Sequence, residues 1–95
     1  MRFRNKVVMV TGGASGIGEA CIRMFAAEGA SVVVADLLDE EAGALCRAIR
    51  AEGGVATFIH LDVSQEAQWS AAIDEIQEKL GRLDVLVNSA GISGF

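Results

Sequence analysis

Short apolar runs alternate along this chain with stretches whose apolar residues recur at helical spacing. The runs are Val7-Val8-Met9-Val10, Ser31-Val32-Val33-Val34-Ala35, Val55 to Leu61, and Asp84-Val85-Leu86-Val87. Continuous, largely β-branched runs of this length fit strands buried on both faces of a parallel sheet. Between them, Ile17, Ala20, Cys21, Met24 and Phe25 form one helical stripe, and Leu38, Ala42, Leu45, Cys46 and Ile49 a second, in a helix starting near Asp39. Trp69, Ala72, Ile73, Ile76 and Leu80 form a third, with Ser64 as its expected N-cap. Gly29, Gly53-Gly54 and Gly81 stand where the helices should stop.

The resulting order, β-α-β-α-β-α-β with short connections, predicts an α/β fold: a doubly wound parallel sheet with strands in the order 3-2-1-4. In such a sheet the ligand crevice lies at the carboxyl ends of the strands, beside the first. Gly12, Asp36, Asp62 and Asn88 all fall at strand ends and should gather along that edge.

Composition narrows the picture. The chain has 95 residues, 52% of them hydrophobic, and a net charge of −5. That is one small globular domain, and its acidity argues against nucleic acid. No apolar run approaches a membrane span and none resembles a secretory leader, so a cytoplasmic protein is expected. Cys21 and Cys46 have no metal-ligand spacing and read as small core residues, and no metal site is expected.

The chemistry concentrates in Thr11-Gly12-Gly13-Ala14-Ser15-Gly16-Ile17-Gly18, between the first strand and the first helix. A helix start carries unpaired N–H groups and the positive end of the helix dipole, and glycines let an anion such as a pyrophosphate come close. A nucleoside-triphosphate P-loop is excluded, because Glu19 follows Gly18 where Lys-Ser/Thr would be required. Asp36 lies 18 positions beyond Gly18, at the end of the second strand, where a carboxylate can accept hydrogen bonds from ribose hydroxyls. A loop aspartate without a ligand is the plainer reading of Asp36, and an Asx turn that of Asp62.

Thr11, Gly12, Gly16 and Gly18 match T-G-x-x-x-G-x-G, and Leu61-Asp62-Val63 and Asn88-Ser89-Ala90-Gly91 follow the third and fourth strands. With these motifs in this order the chain resembles the N-terminal half of a classical short-chain dehydrogenase/reductase. The resemblance implies a Rossmann-like NAD-binding half-domain over residues 1–95, a fragment ending before the remaining strands of a longer oxidoreductase that moves hydride between NAD(H) and an alcohol or ketone. It implies a cofactor site built from Gly12, Ser15, Gly16, Ile17, Gly18, Asp36, Leu37, Asp62, Val63, Asn88, Ala90 and Gly91. Asp62 would meet the adenine with Val63 beside the ring, and Asn88 would steady the sheet and line the cleft.

NAD is preferred over NADP, because Asp36 would repel a 2′-phosphate and because Ser15 and Leu37 stand where NADP-dependent relatives often carry a basic residue. Ser89 departs from the family's N-N-A-G. The family's catalytic serine and Tyr-x-x-x-Lys have no counterpart here, since the chain contains no tyrosine, so no catalytic residue is assigned. The alternatives are a non-catalytic NAD-binding module and an inert fragment. A fourth strand with a free edge would invite pairing with another chain, and an oligomer would form through that edge or through segments beyond residue 95. His60 lacks a cysteine, histidine or serine partner at catalytic spacing and reads as structural.

Overall fold

The β-branched runs form four parallel strands and the amphipathic stretches three helices, in a computed structural model that describes residues 2–14 and 16–89. In chain order these are β1 (Val7–Thr11), α1 (Gly16–Ala27), β2 (Ser31–Asp36), α2 (Asp39–Ala51), β3 (Val55–His60), α3 (Glu66–Leu80) and β4 (Val85–Asn88). The sheet runs β3-β2-β1-β4, as the alternation of elements predicts. Val7 pairs with Ser31 and Thr11 with Ala35 on one side of β1, while Thr11 pairs with Asn88 on the other. The chain proceeds outward from β1 through β2 to β3, then returns to place β4 on the far side of β1. That reversal opens a crevice at the carboxyl end of β1.

Alternate residues of the central strands face opposite ways and so build two cores. On one face Val8, Val10, Val32, Val34 and Ala56 pack with Ile22 and Phe25 of α1 and with Ala42, Leu45, Cys46 and Ile49 of α2. On the other, Val7, Met9, Val33, Ala35 and Ile59 pack with Ala72 and Ile76 of α3. Every residue of β1 is buried, whereas β4 alternates between half-buried and exposed and leaves Leu86 46% exposed. Burial pushes the Cys46 thiol upward, with Arg50 and Arg47 opposing the shift, so Cys46 behaves as a core residue.

Two local expectations are corrected. The buried side of α1 is Gly18, Ile22 and Phe25, while Ile17 is 55% and Met24 50% exposed. The helix docks through its glycine, which fixes its rotation and carries Ile17 and Met24 outward; a stripe seeded on Ile17 misses Ile22. Ser64 does not cap α3: the N-cap is Gln65, which makes no side-chain cap bond, and the Ser64 hydroxyl donates instead to Asp62 Oδ1 at 2.7 Å.

At the amino ends of the strands, Asp84 fastens β4 to β1. Its Oδ2 accepts the Val7 N–H at 2.8 Å, its own N–H donates to the Val7 carbonyl at 2.9 Å, and Arg82 holds Oδ1 at 2.7 Å. The Arg82 guanidinium and the Val7 N–H keep this carboxyl below its usual range. The clasp lies at the opposite end of the sheet from the crevice.

Candidate functional site

The glycine turn begins where β1 runs out. Thr11 is fully buried; its hydroxyl donates to Asn88 Oδ1 at 2.8 Å and lies 3.4 Å from the Val87 carbonyl. The Gly12 N–H donates to the Ala35 carbonyl at 2.7 Å, extending the attachment to β2 by one residue. The chain then turns through left-handed backbone at Gly12 (φ 67°) and Gly16 (φ 55°), which a side chain would strain. At Gly18 the reason is proximity. A Cβ there would run into the Gly12 carbonyl and stand 2.7 Å from Ser89 Oγ. The start of α1 is therefore held against the end of β1, with its first N–H groups free of intrahelical partners. A helix start of this kind attracts anions. Ile17 is exposed on the first turn of α1.

Asp36 ends β2 and is 8% exposed. Its Oδ2 accepts the Ala14 N–H at 3.0 Å and its Oδ1 the Leu38 N–H at 2.9 Å. One carboxylate thus fastens the glycine turn to the loop leading into α2. A carboxylate offers about four lone-pair sites, so these two bonds leave capacity for further donors. Leu37, beside it, is exposed.

The loop between β3 and α3 is built by polar side chains. Asp62 Oδ1 receives both the N–H (3.0 Å) and the hydroxyl (2.7 Å) of Ser64, forming an Asx turn. These bonds hold the Asp62 carboxyl below its ordinary range, the side-chain bond contributing most. Gln68 Oε1 accepts the Asp62 N–H at 2.9 Å, and the Trp69 indole N–H donates to the Val63 carbonyl at 2.8 Å. Val63 itself is exposed. Trp69, read from its spacing as core or helix-packing surface, is half-buried and also serves this loop. An indole can do both because its ring is apolar while its single N–H needs an acceptor.

Asn88 ends β4 and faces Thr11. Ser89, buried, donates its hydroxyl to the Thr11 carbonyl at 2.5 Å and lies 3.3 Å from the Gly12 carbonyl. The sequence marks Ser89 as a departure from the family's motif but does not reveal this bond. The expected positions Ser15, Ala90 and Gly91 lie outside the described residues. Gly12, Gly16, Ile17, Gly18, Asp36, Leu37, Asp62, Val63 and Asn88 all lie at or just after the carboxyl ends of the four strands.

His60 pairs with Asp39, Nδ1 to Oδ1 at 2.6 Å, on exposed surface. Among the described residues no group of three or more His, Cys, Asp or Glu could hold a metal, and no helix is long and apolar enough to cross a membrane.

Comparison with known proteins agrees with this geometry. The profile of the short chain dehydrogenase family matches residues 6–95. The chain is 50% identical over 91 residues to a 2,5-dichloro-2,5-cyclohexadiene-1,4-diol dehydrogenase of Sphingobium indicum, which covers 96% of this chain and 36% of the relative. It is 49% identical over 92 residues to a 3-alpha-(or 20-beta)-hydroxysteroid dehydrogenase of Mycobacterium tuberculosis, covering 96% and 34%. The crystal structure of a hydroxysteroid dehydrogenase from Escherichia coli superposes with a TM-score of 0.88 at 38% identity, over 92% of this chain and 37% of that one. The chain thus spans about a third of the length of these relatives. With the glycine turn, the strand order and the family profile in agreement, the chain belongs to the short-chain dehydrogenase family.

Proposed function

We propose that residues 1–95 are the NAD-binding half of an oxidoreductase that interconverts an alcohol and a ketone in the complete protein. The observation that carries this reading is the junction of Gly12, Gly18 and Asp36: a glycine turn packed closely against the start of α1 at the switch point of the sheet, with a carboxylate at the end of the neighbouring strand. Family membership implies a nicotinamide cofactor, and the choice of NAD rests on Asp36. Its remaining lone pairs suit the two ribose hydroxyls, and its negative charge opposes a 2′-phosphate carrying about −2. In this reading the turn from Gly12 to Gly18, with Ser15 and Ile17, binds the pyrophosphate. Asp36 and Leu37 bind the adenosine ribose, Asp62 and Val63 the base, and Asn88, Ala90 and Gly91 line the nicotinamide side.

NAD, when bound, supplies the hydride acceptor or donor. The task of these residues is to bind and orient it. An alcohol or ketone substrate is consistent with relatives named as dehydrogenases of a cyclic diol and of hydroxysteroids. A cytoplasmic setting completes the proposal. Titration calorimetry of the full chain with NAD and with NADP tests it: NAD should bind more tightly, and Asp36→Ala should narrow the gap chiefly by improving NADP binding. Equal affinities in the unaltered chain would overturn the role given to Asp36.

A further inference from the structure

From the bonds that α3 makes to the loop before it, we propose that Gln68 and Trp69 are positioning residues for base recognition, holding the Asp62-Val63 loop in the shape that reads an adenine amino group. The inference rests on the proposed contact between Asp62 and the base, and it adds residues to which that reading assigns no cofactor contact.

Three bonds define the loop. Gln68 Oε1 takes the Asp62 N–H at 2.9 Å, Trp69 Nε1 reaches the Val63 carbonyl at 2.8 Å, and Ser64 places both of its donors on Asp62 Oδ1. The first two come from consecutive residues of the first turn of α3. The helix is itself anchored to the sheet through Ala72 and Ile76, so it carries a fixed reference into the loop. The backbone N–H of Asp62 and the carbonyl of Val63 are thereby tied to one rigid body. With Oδ1 taken by Ser64, Oδ2 is the oxygen that receives no bond from the described residues, and its direction is set by the backbone that Gln68 and Trp69 hold. A carboxylate oxygen accepts from the 6-amino group of adenine and repels the 6-oxo group of hypoxanthine. Selectivity between these bases therefore measures how well the loop is held, because a mobile carboxylate can move away from the unfavourable oxygen.

The test compares binding of NAD and nicotinamide hypoxanthine dinucleotide to the full chain. The unaltered chain should prefer NAD, and Asp62→Asn, whose amide can donate to the 6-oxo group, should abolish or invert the preference. Trp69→Phe keeps an aromatic ring on the core but removes the indole N–H together with the pyrrole part of the ring; it should reduce the preference about fivefold, in proportion to one lost hydrogen bond. Gln68→Ala, on an exposed position, should do the same, and Gln68→Glu, which retains an acceptor, should restore it. Equal loss of affinity for both dinucleotides, or an unchanged preference in Trp69→Phe and Gln68→Ala while Asp62→Asn loses it, would overturn the positioning role. No preference in the unaltered chain, or one that survives Asp62→Asn, would overturn the base contact, and the positioning role with it.

Discussion

The glycine turn and the β3–α3 loop lie on the same edge of the sheet and are fixed in opposite ways. The turn is held by buried groups from distant parts of the chain: the Asp36 carboxylate on the Ala14 N–H and the Ser89 hydroxyl on the Thr11 carbonyl. The loop is held by solvent-accessible hydrogen bonds between residues at most six positions apart, from Ser64, Gln68 and Trp69 to Asp62 and Val63. Buried donors and acceptors left without partners cost about 1–3 kcal/mol each, whereas exposed ones exchange their partners for water. The turn should therefore register a substitution as lost stability, and the loop as altered local geometry.

The largest effect should come from Gly18→Ala. The added carbon meets the Gly12 carbonyl and Ser89 Oγ, so the change should cost about 3 kcal/mol in a chemical denaturation curve. Combining it with Ser89→Ala should recover only part of the loss, since the Gly12 carbonyl still obstructs; full recovery would show that Gly18 is needed only to admit the hydroxyl.

Next comes Asp36→Ala, which strands the N–H groups of Ala14 and Leu38 and should cost about 2 kcal/mol. A destabilisation no greater than that of an ordinary surface substitution would remove the contrast between the two regions. Ser89→Ala should follow at about 1 kcal/mol, seen as a lower melting temperature, because it removes one buried donor and leaves a carbonyl that has two lone pairs.

The smallest effect belongs to the loop. Ser64 lowers the Asp62 pKa in the folded state, so the stability linked to it is present above the ordinary aspartate value of about 3.9 and is lost as pH falls through the lower folded value. Ser64→Ala should raise that pKa toward the ordinary value and leave stability at neutral pH nearly unchanged. Carboxyl-carbon NMR titration of Asp62 reads the shift directly, and an unmoved titration would show that Ser64 does not set it.

Much of the architecture was legible in the sequence. The four β-branched runs and the glycine that ends each helix specify the element order, and the order specifies the sheet. The rotation of α1 was not legible. It depends on Gly18 approaching another segment's carbonyl, and a residue without a side chain adds nothing to an apolar stripe. The bonds of Ser89 and Trp69 escaped for a related reason. A serine at a strand end and a tryptophan on a helix face each have a routine reading, and only the spatial neighbour of their single N–H or O–H reveals a second task. The Asx turn weighed for Asp62 from its sequence is present, because a short acceptor two residues before Ser64 suffices to build it.

The bond from Ser89 to the Thr11 carbonyl spans 78 positions of the chain. It gives the molecule an order of assembly. β1 can pair with β2 after a short loop closes, but the end of β1 acquires its second neighbour only when β4 arrives, and closures over longer loops come later and cost more entropy. During synthesis the glycine turn therefore emerges well before the serine that completes its packing. Until residue 89 is free to pair, a nascent chain holds the glycine motif by the Asp36 carboxylate, without the Ser89 bond.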